Sequence, residues 1–414
     1  MPTEVENRRC GDMEERICKA ARGYGDEMVA FTQAMVRVAT ENPPGVRYAE
    51  CVEVITAQLS RLGLPYQVRK VPVPAGVAPR YVVTSSFGHG PRTLYFHGHY
   101  DVVPASAPGQ FSAERRGAKL FGRGATDMKS GLAAMVYAVR VLDELRVPLG
   151  GRIGLVFVPD EETGGRYGAS WLARTGRLGA NAVGMLLPEP TGGVVWHASR
   201  GAITLRVRVR GRAAHVGLQH MGVNAFDQML GVAGALGKLK REVERRKTRY
   251  RITPAAARHS ILMLGGRVEG GTSANSVPGE CSFTLERRFN PEEDFAREKQ
   301  RLLAIFDRAR RQGVKLEIEI LQEGEASGSP EESPFARAVA RSIEQVTGRA
   351  ARFEMCPGLL ETRFYAAQGA PACAYGPGLL TVAHGPHEFV PVKNIWQCAA
   401  VYALTAAQVL GSAD

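Results

Sequence analysis

The chain has 414 residues, more than one ordinary hydrophobic core supports, which predicts two domains. Hydrophobic residues make up 44% and charged residues 23% of the chain, as in globular proteins, and no apolar run reaches the roughly 18 residues of a membrane span. The formal net charge is +12. The densest basic stretch, at 238–251, mixes in acidic residues and helically spaced apolar residues, which favours a solvated helix over a nucleic-acid-binding surface.

The cysteines are scattered, at positions 10, 18, 51, 281, 356, 373 and 398, and form no CxxC pair. Their odd number and their spacing favour reduced thiols over a disulfide framework or a cysteine zinc site. The polar start of the chain, MPTEVEN, lacks the basic and apolar segments of a secretory signal. We therefore expect a cytoplasmic protein that binds neither a membrane nor nucleic acid.

The first 200 residues alternate between helix-like and strand-like segments. Helical spacing of apolar residues predicts helices at 51–62 and 129–145, and short apolar runs predict strands at 93–97, 152–158 and 182–187. This alternation predicts an α/β domain with a mostly parallel sheet flanked by helices. In such sheets ligands bind beyond the carboxyl ends of the strands, where the polar clusters of this chain stand.

From about residue 201 the pattern changes. Residues 202–210 alternate strictly between apolar and polar, as in a half-exposed strand. A helix at 224–239, strands at 260–268 and 280–288, a helix at 291–311 and a strand at 314–321 follow, which is the order of a split βαβ, ferredoxin-like α+β domain. Helices predicted at 333–347 and 395–410 belong again to the α/β pattern of the first 200 residues. We therefore predict a larger domain made of residues 1–199 and 323–414, interrupted by a smaller domain at 200–322.

The strand at 93–97 runs into His99 and Asp101. A metal-bound imidazole usually has a carboxylate partner on its other nitrogen, and the His-x-Asp spacing places both side chains on one face of an extended segment. The alternative is an ordinary surface histidine in a polar loop. His97 is the less favoured histidine of this segment.

Four further clusters follow strands or open a helix, and each has a commonplace alternative. Asp127 could bridge two cations or cap a helix. Glu161 and Glu162 could divide the roles of base and ligand or form a solvated acidic loop. Glu189 alone indicates little, and either His384 or His387 could ligate. Taken together, the clusters predict a site for two divalent metals, which generate hydroxide at neutral pH and polarise a carbonyl.

The segments that carry these residues resemble a known family. FHGHYDVVPA, GRGATDMKSG, PDEETGG, PEPT and AHGPHEFV are similar to motifs of the acetylornithine deacetylase, succinyl-diaminopimelate desuccinylase and glutamate carboxypeptidase family. GRAAHVGLQHMGVNA and GGTSANSVPGECSFTLERRF resemble that family's lid, or dimerisation, domain. The resemblance spans about residues 45–410. It implies a two-metal hydrolase, usually with zinc and with cobalt or manganese as alternatives, that forms a homodimer or higher homo-oligomer through its lid.

The resemblance also implies individual roles. One metal would be held by His99, Asp127 and Glu189, and the other by Asp127, Glu162 and His384. Glu161 matches the general base, and Asp101 matches the partner of His99. His215 matches the lid histidine that stabilises the oxyanion in the partner subunit's site. The residues that match substrate contacts are Asn275, Arg288, Gly376 and Gly378, with the register between Arg287 and Arg288 open.

The sequence departs from the family at His387, where asparagine is usual, and at Glu361, where an aspartate is common. Both departures leave the metal ligands intact and concern the substrate. We expect hydrolysis of an amide-type C–N bond in a small, carboxylate-bearing substrate. One alternative is a non-peptide C–N bond, as in a carbamoyl group, a cyclic amide or an activated aromatic amine. Another is a metal-binding assembly protein without turnover, which the complete set of acids including Glu161 disfavours.

Overall fold

The structure is a computed structural model that describes residues 4–411, with side chains from residue 12 onwards. The first three residues of the polar start and the side chain of Cys10 therefore lie outside the described part. The chain divides into two compact units. The first comprises the residues up to 197, 329–353 and those from 361, and the second comprises 198–328 and 354–360. The predicted limits of the inserted domain, 200 and 322, stay a prediction.

The first unit contains helices and strands in alternation before and after the second unit. Before it lie α1 (Glu4–Gly23), α2 (Gly25–Val36), α3 (Tyr48–Arg61), β1 (Tyr66–Val71), β2 (Arg80–Gly88), β3 (Thr93–His99), β4 (Glu114–Arg116), β5 (Lys119–Phe121), α4 (Ser130–Glu144), β6 (Arg152–Val158), α5 (Ala169–Arg174), β7 (Ala182–Leu187) and β8 (Val195–Ser199), the last of which runs into the second unit.

The second unit is an α+β arrangement. Its elements are β9 (Gly201–Arg210), α6 (Ala225–Val243), β10 (Ile261–Gly270), β11 (Glu280–Phe289), α7 (Phe295–Arg311), β12 (Lys315–Gly324) and β13 (Ser327–Gly328). The chain then continues through α8 (Pro334–Thr347), β14 (Phe353–Cys356), α9 (Thr362–Ala366), β15 (Ala372–Ala374), β16 (Phe389–Pro391) and α10 (Val392–Leu410).

The main sheet of the first unit has the strand order β1-β2-β6-β3-β7-β15-β8. Strands β6, β3, β7 and β15 pair in parallel, while β1, β2 and β8 add antiparallel margins. A small second sheet joins β16, β5 and β4. The predicted mostly parallel α/β sheet is therefore confirmed.

Helices cover both faces of this sheet, as the alternation of β3 shows. Phe96 packs its ring against Tyr402 of α10, whereas Tyr95 and His97 contact Tyr365 of α9. Successive side chains of a strand point to opposite faces, so α10 and α9 lie on opposite sides. Burial on both faces explains why β6 and β7 are continuous apolar runs.

The sheet of the second unit is antiparallel, in the order β10-β11-β9-β12. On β9 the side chains of Leu205, Val207 and Val209 are buried, and the intervening arginines are more exposed. The apolar face packs with α6 and α7 into a separate core. This matches the predicted split βαβ order, and α7 begins only at Phe295 because Asp294 caps it by accepting the N–H of Arg297.

Candidate metal centre

Parallel neighbours bring the predicted ligands to one edge of the sheet. Strand β3 ends at His99, β6 is followed by Glu161 and Glu162, and β7 is followed after one proline by Glu189. Strands β6, β3 and β7 are adjacent and parallel, so their carboxyl ends share an edge. This is where α/β sheets bind ligands.

Two groups of ligand atoms meet at this edge, each within 4.8 Å: His99, Asp127 and Glu189 form one, and Asp127, Glu162 and His384 form the other. The Nε2 atom of His99 lies 3.3 Å from Oδ1 of Asp127 and 3.8 Å from Oε1 of Glu189. The Nε2 atom of His384 lies 3.3 Å from Oδ2 of Asp127 and from Oε2 of Glu162. Asp127 thus offers one oxygen to each group.

These distances fit divalent cations. Ligands about 2.0–2.1 Å from a tetrahedral ion are roughly 3.3 Å apart, which is the separation between each histidine nitrogen and Asp127. Among the described residues, Oδ1 of Asp127 and Oε1 of Glu162 are buried without a hydrogen-bond partner, which is costly unless another group satisfies them. The donor set of imidazole and carboxylate suits zinc and similar metals.

The helix-cap alternative for Asp127 does not fit. Asp127 lies in a distorted turn at Ala125–Lys129, and α4 begins at Ser130 with Lys129 at its N-cap position and no side-chain cap. Burial raises the pKa of Asp127, but the nearby imidazoles of His384 and His99 outweigh it and lower that pKa. The carboxylate is therefore held ionised at the centre of the site.

Asp101 connects His99 to the loop of Asp160, Glu161 and Glu162, the acidic loop. The Nδ1 atom of His99 lies 3.0 Å from the carbonyl oxygen and 3.4 Å from Oδ1 of Asp101. The carboxylate of Asp101 also accepts the backbone N–H groups of Glu161 and Glu162, each at 3.2 Å. An Nδ1–H donor leaves Nε2 free to ligate, so this contact fixes the required tautomer.

The three successive acids point in different directions. Asp160 has a left-handed backbone, with φ of 77°, and turns inward, where it accepts the Oγ1–H of Thr163 and the N–H of Tyr167. Glu162 reaches His384. The carboxylate of Glu161 makes no hydrogen bond or ion pair with a described residue, and it belongs to neither ligand group.

The environment of Glu161 favours proton uptake. Burial raises the pKa of Glu161 well above that of an ordinary glutamate; His99 lowers it, and Glu162 and Glu361 raise it further. A carboxylate with a raised pKa is a better proton acceptor once ionised. The pKa of Glu161 is thus shifted in the direction opposite to that of Asp127.

His384 and His387, in the segment near the C-terminus, have different surroundings. His384 is half exposed, and hydrogen bonds to Asp127 and Glu162 raise its pKa to about 11. His387 is exposed and belongs to neither ligand group. His384 also has a left-handed backbone, with φ of 62°, which is uncommon for a residue with a side chain.

Glu361 is fully buried and pairs with His97. Oε2 of Glu361 lies 2.8 Å from Nε2 of His97, whose Nδ1 lies 3.1 Å from the hydroxyl of Tyr365. Such burial makes Glu361 part of the supporting structure behind the acidic loop. His97, the less favoured metal ligand in the sequence, thus has a polar role of its own.

Gly376 and Gly378 lie tight against the ligand-bearing segments. A Cβ atom on Gly376 would stand 2.3 Å from the carbonyl oxygens of Pro188 and Glu189, and one on Gly378 would stand 2.3 Å from that of Thr126. The N–H of Gly376 donates to Oγ1 of Thr191. Its predicted role as a donor to substrate stays a prediction.

The predicted lid residues lie in the second unit, and two of them are neighbours. His215 and Asn275 are exposed, and the N–H of Val216 donates to the carbonyl oxygen of Asn275 at 2.9 Å. Nδ1 of His215 accepts the N–H of Gly217 at 3.1 Å. A neutral imidazole that accepts at Nδ1 carries its proton on Nε2, which is then available as a donor.

Burial distinguishes Arg287 from Arg288, and the choice between them as a substrate contact stays a prediction. Arg287 is 2% exposed and forms ion pairs with Glu293 and Glu298. Arg288 is 26% exposed, with Glu286 as its ion-pair partner. Arg288 is therefore the more accessible of the two guanidinium groups.

Sequence reasoning missed three buried polar residues around the site: Asn42, Arg123 and Glu388. The side-chain amide of Asn42 donates to Oδ2 of Asp101 at 2.8 Å and to Thr163 at 3.0 Å. Arg123 pairs with Glu388. Arg123 and Glu388 stand inside the GRGATD and HGPHEF segments, and this was the available signal for these two residues.

An α/β domain with two histidine–carboxylate groups at the carboxyl edge of its sheet defines a metal-dependent hydrolase. The model of peptidase family M20/M25/M40 matches residues 95–408, and the chain belongs to this family. It is therefore an enzyme that hydrolyses amide-type C–N bonds. Members of the family depend on two metal ions. The predicted family and reaction class are confirmed.

Named relatives cover most of the chain. A probable succinyl-diaminopimelate desuccinylase of Staphylococcus epidermidis is 26% identical over 86% of this chain and 91% of its own length. An acetylornithine deacetylase of Myxococcus xanthus is 27% identical over 95% and 98%. Among solved structures, a dipeptidase of Saccharomyces cerevisiae has a TM-score of 0.79 at 16% identity and covers 97% of this chain and 99% of its own, which supports the fold.

Proposed function

We propose that the two ligand groups hold a pair of zinc ions, bridged by Asp127, in an enzyme that deacylates small N-acylated amino acids. The observation that carries the proposal is the sharing of Asp127 between both groups, one oxygen to each. Two divalent ions held there would supply a lowered pKa for water and polarisation of the scissile carbonyl. Cobalt and manganese are the alternative metals.

Glu161 serves as the general base and acid. Its carboxylate has no described partner, and its raised pKa suits proton transfer. It takes a proton from the attacking water and returns it to the leaving nitrogen as the C–N bond breaks. Asp101 keeps His99 in the ligating tautomer and holds the backbone of Glu161 in place.

The residues of the second unit complete the assignment. We assign to His215 an Nε2–H donor for the oxyanion of the tetrahedral intermediate, acting in the partner subunit's site as the resemblance implies. Arg288, with Asn275, would bind the substrate carboxylate, because a guanidinium pairs with carboxylates in a bidentate manner. Relatives named for succinyl-diaminopimelate and acetylornithine support an N-acyl amino acid as substrate.

A homodimer through the second unit is part of the proposal. Strand β10 is an edge of its sheet, and its Met263 is 47% exposed. On the helix α6, Phe226 and Leu230 are exposed to 44% and 53%. Apolar residues at an edge strand and on a helix favour a protein partner, and a second copy of the chain fits the resemblance.

The proposed location is the cytoplasm. The six described cysteines are free thiols, which supports a reducing compartment. No helix within residues 4–411 is long and apolar enough to cross a membrane.

A substrate panel tests the proposed reaction. N-acetyl and N-succinyl amino acids, their methyl esters, dipeptides and cyclic amides are assayed with zinc, cobalt and manganese, and the Glu161→Gln variant controls for contaminating activity. We expect the free acids to be hydrolysed at least about tenfold faster than their esters, because an ester cannot form the bidentate pair with Arg288. Hydrolysis of cyclic amides alone, or equal rates for acid and ester, would contradict the proposed substrate class.

A further inference from the structure

A buried ion pair links the two loops that carry Asp127 and His384. Arg123 and Glu388 each have side chains only 1% exposed, and the guanidinium donates to Oε2 of Glu388. The two residues stand 265 positions apart. Burying two charges costs desolvation free energy, so the ion pair by itself is weak evidence of a stabilising role. The other contacts of Arg123 and Glu388 indicate what the pair does.

Glu388 holds the turn that contains Asp127. Its Oε1 atom accepts three backbone N–H groups, from Gly124 at 2.8 Å, Thr126 at 3.0 Å and Asp127 at 3.2 Å. Three donors on one carboxylate oxygen fix the path of this turn. The backbone N–H of Asp127, the proposed bridging ligand, is thus hydrogen-bonded directly to Glu388.

Arg123 holds the segment that contains His384. Its second terminal nitrogen donates to the carbonyl oxygen of His384 at 3.0 Å. His384 has a backbone φ of 62°, a conformation that persists in a residue with a side chain only where the surroundings impose it. The contact from Arg123 is one such constraint.

We propose that Arg123 and Glu388 form a positioning clamp that sets the affinity of the metal site made by Asp127, Glu162 and His384. The clamp contacts the backbone of two of these three ligands. In the other group, His99, Asp127 and Glu189, it contacts only the shared Asp127. Its loss therefore weakens one metal more than the other. This inference rests on the proposed two-metal function.

The test measures zinc affinity, site by site, by chelator competition on the full chain. Arg123→Lys keeps the charge, but one ammonium cannot reach both Glu388 and the His384 carbonyl in the fork geometry of arginine. We expect one zinc to bind about 10- to 100-fold more weakly, the usual range for lost supporting contacts, and the other to change less than about threefold. Glu388→Gln, which keeps the shape, is the second variant should Arg123→Lys fail to fold.

Two controls separate positioning from general loss of stability. Arg287→Lys alters a comparably buried arginine–glutamate pair in the second unit and should leave both zinc affinities unchanged. His384→Ala should weaken the same zinc as Arg123→Lys, and the double variant should lose less than the product of the two effects. Equal weakening of both ions, or unchanged affinities in both folded clamp variants, would overturn the clamp. A wild-type chain that binds fewer than two zinc ions would instead contradict the proposed function.

Discussion

At the scale of single residues, the acidic loop shows how neighbours of the same type acquire different roles. Asp160, Glu161 and Glu162 follow one strand, yet the left-handed backbone of Asp160 turns its side chain inward, and Glu162 reaches His384. Glu161 is left without a described hydrogen-bond partner. Environment, more than residue type, thus divides these carboxylates between a supporting residue, a candidate ligand and the proposed base.

The Glu161→Gln variant tests the proposed base. Glutamine has nearly the same shape but does not accept the proton, so metal content should stay at the wild-type level while kcat falls by roughly three orders of magnitude or more. Glu53→Gln, on the exposed side of α3, is the matched control and should leave both metal content and kcat unchanged. A metal-replete Glu161→Gln enzyme with near-normal turnover would remove Glu161 from this role.

The bridging position of Asp127 predicts a difference between two ligand variants. Asp127→Ala should reduce metal binding at both sites, because its two oxygens face different groups. His384→Ala should mainly weaken one site. Elemental analysis after dialysis checks this, and two metals per chain retained by Asp127→Ala would refute the bridge.

At the scale of elements, the second unit is joined by a buried ionic network between α6, α7 and β11. Arg287 of β11 pairs with Glu293 and with Glu298 of α7, and Arg246, just after α6, pairs with both glutamates. Burial raises the pKa of Glu293, but Arg287 and hydrogen bonds outweigh it and lower the pKa below its usual value. The ionised form is therefore the one that stabilises the fold.

The network predicts a pH-dependent stability. A carboxylate with a depressed pKa contributes stability above its unfolded pKa of about 4.3 and loses it as the pH falls through the folded value. Glu293→Gln should lower the free energy of unfolding by about 3 kcal/mol at pH 7, and the difference from wild type should shrink below about pH 4. Urea unfolding of both proteins at several pH values measures this difference in the free energy of unfolding.

A surface pair provides the comparison for this prediction. Glu269 and Arg267 pair with side chains 51% and 64% exposed, so Glu269→Gln should change stability by no more than about 0.5 kcal/mol. An effect of Glu293→Gln as small as that of Glu269→Gln, or one that persists unchanged at pH 3, would contradict the role of the network.

The elements also show what the sequence could and could not predict. The runs Arg152–Val158 and Ala182–Leu187 were predicted with their observed ends, because a strand buried on both faces is a continuous apolar run. Helices α1 and α2 were not predicted, and β4, β5 and β15 have three residues each, too few for a periodic pattern.

Part of the candidate site could likewise be predicted from the sequence, and part could not. The candidate ligands His99, Glu162 and Glu189 stand in short motifs at or just after strand ends, so the sequence indicated them together. Arg123 and Glu388 meet only after folding brings together positions 265 apart, and no local pattern encodes such a contact. The burial that distinguishes Arg287 from Arg288 likewise depends on the neighbours α6 and α7.

At the scale of the whole molecule, the proposed dimer predicts complementation between two inactive variants. If His215 acts in the partner subunit's site, a mixed dimer of Glu161→Gln and His215→Ala has one site with both defects and one with neither. Activity should rise on subunit exchange towards about half of wild type per mixed dimer, since one of two sites is intact. No recovery after verified exchange would mean that His215 acts within its own chain or outside catalysis.

Membership of peptidase family M20/M25/M40 and the shared Asp127 lead to one central claim, that amide hydrolysis here needs two metal ions per chain. Its most direct test is a zinc titration of the metal-stripped enzyme, assayed with the best substrate of the panel. We predict negligible hydrolysis without metal and a rise that saturates at two zinc equivalents per chain. Full activity in the metal-free protein, or saturation at one equivalent, would contradict this account.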